Sequence, residues 1–480
     1  MERNETLMQY FEWYLPADCG HWRRTAAAAG ALAAQGITAV WLPPAYKGAG
    51  GVREVGYAVY DTYDLGEFDQ KGTVPTKYGT RQEYLDAIAA LHSAGIKVYP
   101  DIVLNHRIGA DGTEQVTAEE SDGKDRNREI TGDETITAYT RFDFPGRGGK
   151  YSDFRWNWHH FDGVDWDETK RKNAIYQFTG KEWDSEVDGE NGNYDYLMGA
   201  DLDMGNQEVL EELDRWGAWY LETTGADGFR LDAVKHIRFT FFKDWLGKLR
   251  QRSGKPLFAV GEYWKNDVGT LLRYLDACGD CMSLFDVPLH FNFYNASHGG
   301  GGYDMRNILK GTLLEARPER AVTFVDNHDT QPGQALASWV DGWFKSIAYA
   351  LILLRGEGLP CVFYGDYYGI PHDKINPVGG DLMTMLRVRS ERAYGVRRDY
   401  FDDPNVIGWT MEGTEEHPAS GLAVVLSDGA GGKKRMSVGA RNAGATFAPV
   451  TGGGQAVVIG PDGTAEFSVE GGSARVYIRI

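Results

Sequence analysis

The sequence predicts a (β/α)8 barrel with a β-rich insert after its third strand and an antiparallel β domain at its C-terminal end. Eight short β-rich runs alternate with helix-like segments, which favours parallel strand pairing in a closed barrel. About a hundred residues between the third and fourth runs lack helical periodicity, and a stretch that long indicates a small domain rather than a loop. After about residue 398, alternating segments separated by Gly-rich turns indicate an antiparallel β-sandwich.

The elements can be placed in chain order. The barrel runs are residues 7–13, 37–42, 97–104, 228–231, 257–260, 282–287, 321–325 and 359–364. Helical patterns cover residues 80–94, 207–223, 239–252 and 343–355, and terminal strands cover residues 421–426, 455–459 and 474–480. We therefore expect a barrel from residues 1–104 and 207–397, an inserted domain at 105–206 and a β-sandwich at 398–480.

Composition excludes several classes of function. Of 480 residues, 69 are Asp or Glu and 50 are Lys or Arg, and the resulting net charge of −19 repels nucleic acid and anionic membrane surfaces. No apolar run approaches the roughly 18–20 residues that span a bilayer. Aromatic residues reach 13%, including 14 Trp and 26 Tyr, and such rings are suited to stacking on sugar-like ligands.

The N-terminus and the cysteines bear on the compartment. The start, MERNE, has neither a basic region nor an apolar region, so we expect a cytoplasmic protein, or alternatively a secreted one whose export signal has been removed. Four cysteines in a chain of this length form no disulfide framework. Cys278 and Cys281 form a CxxC without a second pair, which favours free thiols over a zinc site.

Three of the late strand runs are followed by carboxylates, at the end of the barrel where active sites are built. Asp232 closes GFRLD, Glu262 closes FAVGE and Asp329 closes FVDNHD. Any one of these acids could cap a helix or pair with an arginine. Three acids at one barrel mouth repel one another and raise at least one pKa. A protonated acid beside an ionised one is the requirement for glycosidic bond cleavage.

Four segments resemble the signature regions of the α-amylase family of glycoside hydrolases. They are DIVLNH (101–106), GFRLDAVKH (228–236), EYW (262–264) and FVDNHD (324–329). The resemblance extends from TLMQYFEW (6–13) through GYAVYD (56–61) to GGS (471–473), which is nearly the whole chain. Within the family, the sequence is similar to the bacterial liquefying amylases and their cytoplasmic relatives, and the missing export signal favours the cytoplasmic branch.

The resemblance implies a role for each carboxylate. Asp232 would be the nucleophile that forms a covalent glycosyl-enzyme, Glu262 the general acid and then the general base, and Asp329 the residue that binds sugar hydroxyls and favours ring distortion. The residues themselves support part of this division. Arg230 lies two positions before Asp232 on the same strand face, where it can hold that carboxylate ionised and aligned.

The resemblance also implies substrate contacts. His106 and His328 would stabilise the transition state, and Tyr57 would stack under the cleaved sugar. The other implied contacts are the cleft aromatics Trp13 and Trp264 and, on the leaving-group side, Lys235. A histidine at a strand end is more often structural, and an aromatic ring is more often part of the core, so for Trp13 core packing is an equal alternative.

The acidic insert suggests metal sites, since calcium takes about 6–8 oxygen ligands. The residues that match the family's shared calcium site are Asn105, Asp195, Asp201 and the backbone carbonyl of His236. Those that match a linked calcium–sodium–calcium cluster are Asp162, Asp184 and Asp203. Asp-rich stretches are otherwise solvated surface. An outer calcium site between barrel and terminal domain is doubtful, because Pro404 and Asn405 stand where the family places a histidine and an aspartate.

These features together predict a function. We expect a retaining, endo-acting α-amylase that hydrolyses internal α-1,4-glucosidic bonds of starch, glycogen and maltodextrins by double displacement, as a calcium-binding monomer without nucleic-acid or membrane partners. One alternative is a glucanotransferase or an oligosaccharide-specific hydrolase on the same scaffold. Another is an inactive binding protein, which would typically have lost one of the three carboxylates.

Overall fold

The structure, a computed structural model, describes residues 4–480. The first three residues of the N-terminal segment MERNE lie outside the described part. The strands are β1 (Leu7–Gln9), β2 (Ala39–Leu42), β3 (Lys47–Gly48), β4 (Val59–Asp61), β5 (Lys97–Ile102), β6 (His106–Arg107), β7 (Gly112–Ser121), β8 (Glu134–Arg141), β9 (Phe161–Asp167), β10 (Lys172–Phe178), β11 (Ala200–Leu202), β12 (Gly228–Leu231), β13 (Phe258–Gly261), β14 (Ser283–Phe285), β15 (Ala321–Phe324), β16 (Leu359–Phe363), β17 (Arg397–Tyr400), β18 (Val406–Met411), β19 (Leu422–Ser427), β20 (Gly431–Ser437), β21 (Thr446–Pro449), β22 (Val457–Val458), β23 (Thr464–Glu470) and β24 (Ser473–Arg479). The helices are α1 (His21–Ala34), α2 (Arg81–Ser93), α3 (Gln207–Thr224), α4 (Phe241–Ser253), α5 (Val268–Ala277), α6 (Val287–His298), α7 (Leu313–Ala316), α8 (Lys345–Leu353), α9 (Tyr364–Tyr368) and α10 (Gly380–Arg392).

Eight parallel strands close into a barrel in the order β1-β16-β15-β14-β13-β12-β5-β2. Each of the eight predicted runs overlaps one of these strands, so the prediction of a (β/α)8 barrel is confirmed. All residues of β2, β12 and β15 are buried. This continuous burial is typical of parallel strands, because the barrel interior covers one face and the helices cover the other.

The helices begin and end at local sequence signals. Thr80 caps α2 by accepting a hydrogen bond from the backbone N–H of Glu83, and the Glu83 side chain accepts from Thr80 in return. α3 ends at Gly225, whose φ of 67° is the left-handed conformation that glycine adopts readily. The four predicted helices, which correspond to α2, α3, α4 and α8, agree with the observed bounds within two residues at each end.

The insert forms a six-stranded sheet in the order β6-β11-β9-β10-β7-β8. Its edge strand β6 starts four residues after barrel strand β5 ends, and it pairs with β11 so that His106 lies opposite Asp201. This pairing holds the acidic end of the insert against the barrel mouth.

The C-terminal region contains a six-stranded antiparallel sheet, β17-β18-β19-β24-β21-β22, and the two-stranded sheet β20-β23. Side chains such as Val425, Met436, Phe447 and Phe467 fill a core between the two sheets. Trp409 donates from Nε1 to the backbone carbonyl of Leu354 at 2.8 Å, just after α8. Within residues 4–480, none of the helices is both long and apolar enough to cross a lipid bilayer.

Candidate active site

Two of the predicted carboxylates lie directly at the C-terminal ends of adjacent barrel strands. Asp232 follows β12 and Glu262 follows β13, and the two strands pair so that Leu231 lies opposite Gly261. Backbone hydrogen bonds fix both positions, since Asp232 N–H donates to Ile102 O and Glu262 N–H donates to Leu231 O, each at 2.9 Å. Both residues are only 8% exposed.

Arg230 joins these carboxylates through a single guanidinium group. Its Nη1 lies 2.5 Å from Asp232 Oδ1 and 2.9 Å from Asp101 Oδ1, and its Nη2 lies 2.9 Å from Glu262 Oε2. Glu262 Oε2 also accepts from the backbone N–H of Ala233 at 3.3 Å. Arg230 is fully buried, so it supplies a permanent positive charge in a site of low dielectric, where charge pairs act strongly.

Burial and mutual repulsion raise the pKa values of the acids in this site. Burial raises the pKa of Asp232, and Arg230 opposes that shift. Burial also raises the pKa of Glu262, with Arg230 lowering it and Asp232 raising it. The pKa of Asp329 lies well above its usual range because of burial and the charge of Glu262, although Arg230 lowers it. The site therefore favours retention of a proton on part of the acid cluster.

Asp329 lies in a loop rather than at the strand end. β15 ends at Phe324, and Asp329 follows five residues later, held by a hydrogen bond from its own N–H to Asn327 Oδ1 at 2.9 Å. Gln9 donates from Nε2 to His328 Nδ1 at 3.1 Å, so the proton of this imidazole is on Nε2, 3.2 Å from Asp329 Oδ2. Burial and the charge of Arg230 lower the pKa of His328 well below its usual range, which keeps the ring neutral.

Three flat side chains form a parallel stack beside the carboxylates. The ring of Tyr57 lies 5.1 Å from His328 with an interplanar angle of 9° and 6.0 Å from Trp13 with an angle of 1°. Tyr57 also donates its hydroxyl to Asp101 Oδ2 at 2.9 Å. Trp13 is half-buried rather than fully enclosed. The stack presents a surface on which a sugar ring can lie.

The remaining predicted contacts surround this centre. His106 donates from Nε2 to Tyr57 O at 2.8 Å, while its buried Nδ1 has no partner within residues 4–480. Burial lowers the pKa of His106 to about 4, so this free nitrogen is an acceptor. Lys235 reaches Glu190 Oε2 and Trp264 O, each at 3.4 Å. The structure thus gathers all ten predicted catalytic and substrate-binding residues around one barrel mouth.

A second acidic group lies in the insert. Ligand atoms of Asp162, Asp195 and Asp201 fall within 4.8 Å of one another, and all three residues are buried. Burial and the neighbouring carboxylates raise the pKa of each of them well above the usual range. Among the described residues, Asp201 Oδ2 has no hydrogen-bond partner, and Asn105 donates to Asp201 Oδ1 at 2.9 Å. Three buried carboxylates without an ion-pair partner suit a divalent cation.

The other predicted metal ligands have different surroundings. Asp184 accepts from Arg238, with Nε at 3.0 Å, while its buried Oδ2 has no partner in residues 4–480. Lys181 forms an ion pair with Asp203. His236 donates from Nδ1 to the backbone carbonyl of Tyr194 at 2.7 Å, and Tyr194 directly precedes Asp195 in the sequence. The triad thus combines Asp195 and Asp201 of the predicted shared calcium site with Asp162 of the predicted linked cluster. The other two residues of the linked cluster, Asp184 and Asp203, are not part of this triad.

Comparison with known proteins identifies the family. A family sequence profile described as "Alpha amylase, catalytic domain" matches residues 31–407. The chain belongs to the α-amylase family of glycoside hydrolases. It is 57% identical over 478 residues to an α-amylase of Geobacillus stearothermophilus, covering 99% of this chain and 87% of that protein. It is 43% identical over 494 aligned positions to the cytoplasmic α-amylase of Escherichia coli (strain K12), covering 99% of each.

A solved structure shows the same fold at low sequence identity. The crystal structure of an Anoxybacillus α-amylase superposes with a TM-score of 0.65 at 17% identity, covering 99% of this chain and 97% of that one. At this level the likeness concerns the fold alone. The barrel with added antiparallel sheets is therefore the fold of an α-amylase.

The segment around Pro404 and Asn405, where an outer calcium site was expected to be doubtful, is held by hydrogen bonds within the protein. Asn405 donates from Nδ2 to Gly301 O at 2.9 Å and to Asp428 Oδ1 at 3.1 Å. The carbonyl of Pro404 accepts from Met305 N–H at 2.8 Å. The amide group of Asn405 thus links the carbonyl of Gly301 to the carboxylate of Asp428.

Two buried acids near the site were missed by the sequence analysis. Asp101 was recognised only as the first residue of a motif, yet it accepts from Trp41, Tyr57 and Arg230. Burial raises its pKa to about 7. Asp326 was passed over because Asp329 was taken as the end of its strand. The available signal was a carboxylate inside the apolar run of β5 for Asp101, and a carboxylate two residues after the end of β15 for Asp326.

Proposed function

We propose that this amylase is a retaining, endo-acting enzyme that hydrolyses internal α-1,4-glucosidic bonds of starch, glycogen and maltodextrins. The observation that carries the proposal is the contact of one guanidinium, that of Arg230, with both Asp232 and Glu262. Retaining glycosidases have carboxyl groups about 5–5.5 Å apart, and inverting ones have them roughly 6.5–9.5 Å apart. Adjacent strands lie about 4.8 Å apart. The position of Asp232 and Glu262 at the ends of two such strands therefore supports retention.

The first step forms a covalent glycosyl-enzyme. Asp232 Oδ attacks the anomeric carbon as the glycosidic C–O bond breaks, and Glu262 transfers its proton to the departing oxygen. Glu262 enters this step protonated, which its burial and the charge of Asp232 favour. Arg230 keeps Asp232 ionised and in line.

The second step restores both acids. Glu262, now ionised, takes a proton from water, and the resulting hydroxide oxygen bonds to the anomeric carbon from the face that the leaving group occupied. The bond to Asp232 breaks and the product has the original α configuration. Two inversions at one carbon account for the retained stereochemistry.

The cleaved sugar itself would be bound by Asp329, His328 and Tyr57, which do not take part in breaking the glycosidic bond. Asp329 and the Nε2–H of His328 offer an acceptor and a donor to neighbouring hydroxyls, and the ring of Tyr57 supports the apolar face of the sugar. Contacts to the sugar that strengthen in the distorted transition state lower the barrier.

Endo action requires that a glucan extend past the cleaved bond in both directions. Two hollows adjoin predicted contact residues, and neither is lined by the three carboxylates. One, of about 320 Å³, is lined by Arg107, which follows His106 in the sequence, with Tyr139 and Trp166. The other, of about 340 Å³, is lined by Glu190, which contacts Lys235, with Lys265 and Arg273. We propose that the two ends of the glucan extend toward these hollows.

The substitution Glu262→Gln tests the assignment of the general acid. We expect hydrolysis of starch to fall by about 100- to 10,000-fold, the range for loss of a general acid, with an unchanged melting temperature. Glu212→Gln, which alters another buried glutamate outside the cleft, is the control and should keep the activity. Full activity of the Glu262 variant would refute the proposal. Proton NMR should show the α anomer first, and iodine staining should be lost before reducing ends accumulate.

We propose that calcium binds at the acidic cluster. Asp162, Asp195 and Asp201 would hold it, together with Asn105 and the backbone carbonyl of His236, and two or more ions, with sodium between them, would extend the site to Asp184 and Asp203. The bound cation would supply the positive charge that these carboxylates lack. The unpartnered oxygens of Asp201 and Asp184 support this fit. Holding β11 beside Asn105 would fix the insert against the barrel.

We also propose a cytoplasmic monomer. The name of the Escherichia coli relative supports the compartment. The division into a barrel (1–104 and 207–397), an inserted calcium-binding domain (105–206) and a terminal sandwich (398–480) is likewise a proposal. Native mass spectrometry at micromolar concentration would test the monomer.

A further inference from the structure

A buried ion cluster lies behind the loop that carries His328 and Asp329. Lys345, the first residue of α8, forms ion pairs with Asp326 and, at 2.8 Å, with Asp366 Oδ1. The three side chains are 2% exposed or less. Lys345 Nζ also lies 3.5 Å from the centre of the Trp339 ring. None of these groups touches the sugar-binding surface, so the reaction proposed above does not use them directly.

Hydrogen bonds connect this cluster to the loop. Asp326 Oδ1 accepts from Thr330 Oγ1 at 2.7 Å, and Thr330 Oγ1 accepts from the backbone N–H of Asn327 at 2.9 Å. Asn327 Oδ1 in turn accepts from the N–H groups of Asp329 and Thr330, each at 2.9 Å. The loop from Asp326 to Thr330 is thus a closed turn whose base is Asp326.

The charge of Lys345 favours the ionised form of that base. Burial and the charge of Asp366 raise the pKa of Asp326 to about 7, even though Lys345 lowers it. The ionised Asp326 also accepts a hydrogen bond from the backbone N–H of Val340 at 3.2 Å. A protonated Asp326 would be a weaker acceptor toward both Thr330 and Val340. Removing Lys345 would also deprive two buried carboxylates of their ion-pair partner, a strongly destabilising change.

We propose that Lys345 is a positioning residue for Asp329 and His328, acting through Asp326 and the Thr330 hydroxyl. This inference rests on the proposed function, because the two loop residues are assigned there to the cleaved sugar. Lys345 and Thr330 touch no substrate. They determine where the Asp329 carboxylate lies relative to Asp232 and Glu262. A displacement of a catalytic-site group by about 1 Å can lower the rate by about 100-fold.

Paired variants separate positioning from general stability. Thr330→Val keeps the shape of the side chain but removes the hydroxyl, and Thr330→Ser keeps the hydroxyl. Lys345→Met removes the charge, and Lys345→Arg keeps it. Tyr349→Phe is the control, because the Tyr349 hydroxyl donates to Asp366 Oδ2 at 2.7 Å on the far side of the same cluster.

The measurements are kcat and KM on maltoheptaose and the melting temperature of each variant. We expect Thr330→Val to lose about tenfold and Lys345→Met about 100-fold in kcat, with little change in KM. Thr330→Ser should restore most of kcat, Lys345→Arg part of it, and Tyr349→Phe should lower the melting temperature only. Wild-type kcat in Thr330→Val, or an equal kcat loss in Tyr349→Phe, would overturn the proposal.

A crystal structure of Thr330→Val gives a readout that is independent of activity. The Asp329 carboxylate should be displaced while Asp232 and Glu262 superpose on the wild type, and an unmoved Asp329 would also overturn the positioning role. Should the wild type fail to cleave any α-glucan, the proposed function would fall, while the crystal structure would still decide whether the cluster positions the loop.

Discussion

The acids around Arg230 and the acids of the insert are two buried carboxylate groups of similar size with different counter-charges. At the barrel mouth, Asp232 and Glu262 share a guanidinium that the chain itself provides. In the insert, Asp162, Asp195 and Asp201 form no ion pair among the described residues, and burial with mutual repulsion raises their pKa values well above the usual range. A covalently fixed cation suits a site that must be aligned for chemistry at all times. We propose that a cluster without one depends on a cation taken from solution.

Among the variants that test this comparison, the largest expected effect comes from removing the fixed cation. Arg230→Met should lower kcat/KM on starch by about 100- to 1,000-fold, as expected for loss of a preorganised charge. It should also destabilise the protein by about 3–5 kcal/mol, since a broken buried ion pair leaves its carboxylates unpaired. Steady-state kinetics and urea unfolding would measure the two effects.

Arg230→Lys is the matched variant, because it keeps the charge but not the planar fork that contacts Asp232, Asp101 and Glu262 together. We expect it to recover stability better than activity. Equal recovery of both would mean that charge alone, and not alignment, is the contribution of Arg230.

The second effect tests the group without a fixed cation. Removing calcium with a chelator should lower the melting temperature, because a ligand at 100 times its Kd stabilises the folded state by about 2.7 kcal/mol. The measurement is a thermal melt in calcium and in chelator. Asp201→Asn should reduce the calcium dependence, whereas Asp86→Asn, on the exposed face of α2, should leave it unchanged. Identical melts with and without calcium would contradict the proposed site.

The sequence was sufficient for the barrel because each strand is a short apolar run between helical patterns. It was also sufficient for Asp232 and Glu262, since a residue that directly follows a strand has a position dictated by that strand. Asp329 is different. Its place depends on a turn closed by Thr330, Asn327 and a lysine about fifteen residues further along the chain, and no local pattern reveals such a partner.

The acidic insert shows the same limit. The segments that hold Asp162, Asp195 and Asp201 were found only through their resemblance to a family, because Asp-rich stretches are usually exposed. The antiparallel pairing of β9 with β11 brings Asp201 opposite Gly163, next to Asp162. Such pairing between distant segments has no periodicity of its own that a single sequence displays.

The smallest expected effect concerns the electrostatic balance around Glu262. Lys235 lowers the pKa of Glu262, so Lys235→Met should raise it. Since Glu262 must be protonated in the first step, activity falls as pH rises through this pKa, and the alkaline limb of the kcat profile should move to higher pH. Lys265→Met is the control, because Lys265 pairs with Glu190, as Lys235 does, and with Asp188. A limb that stays in place would show that a group other than Glu262 titrates there, and equal shifts in both variants would show that Lys235 has no specific effect on Glu262.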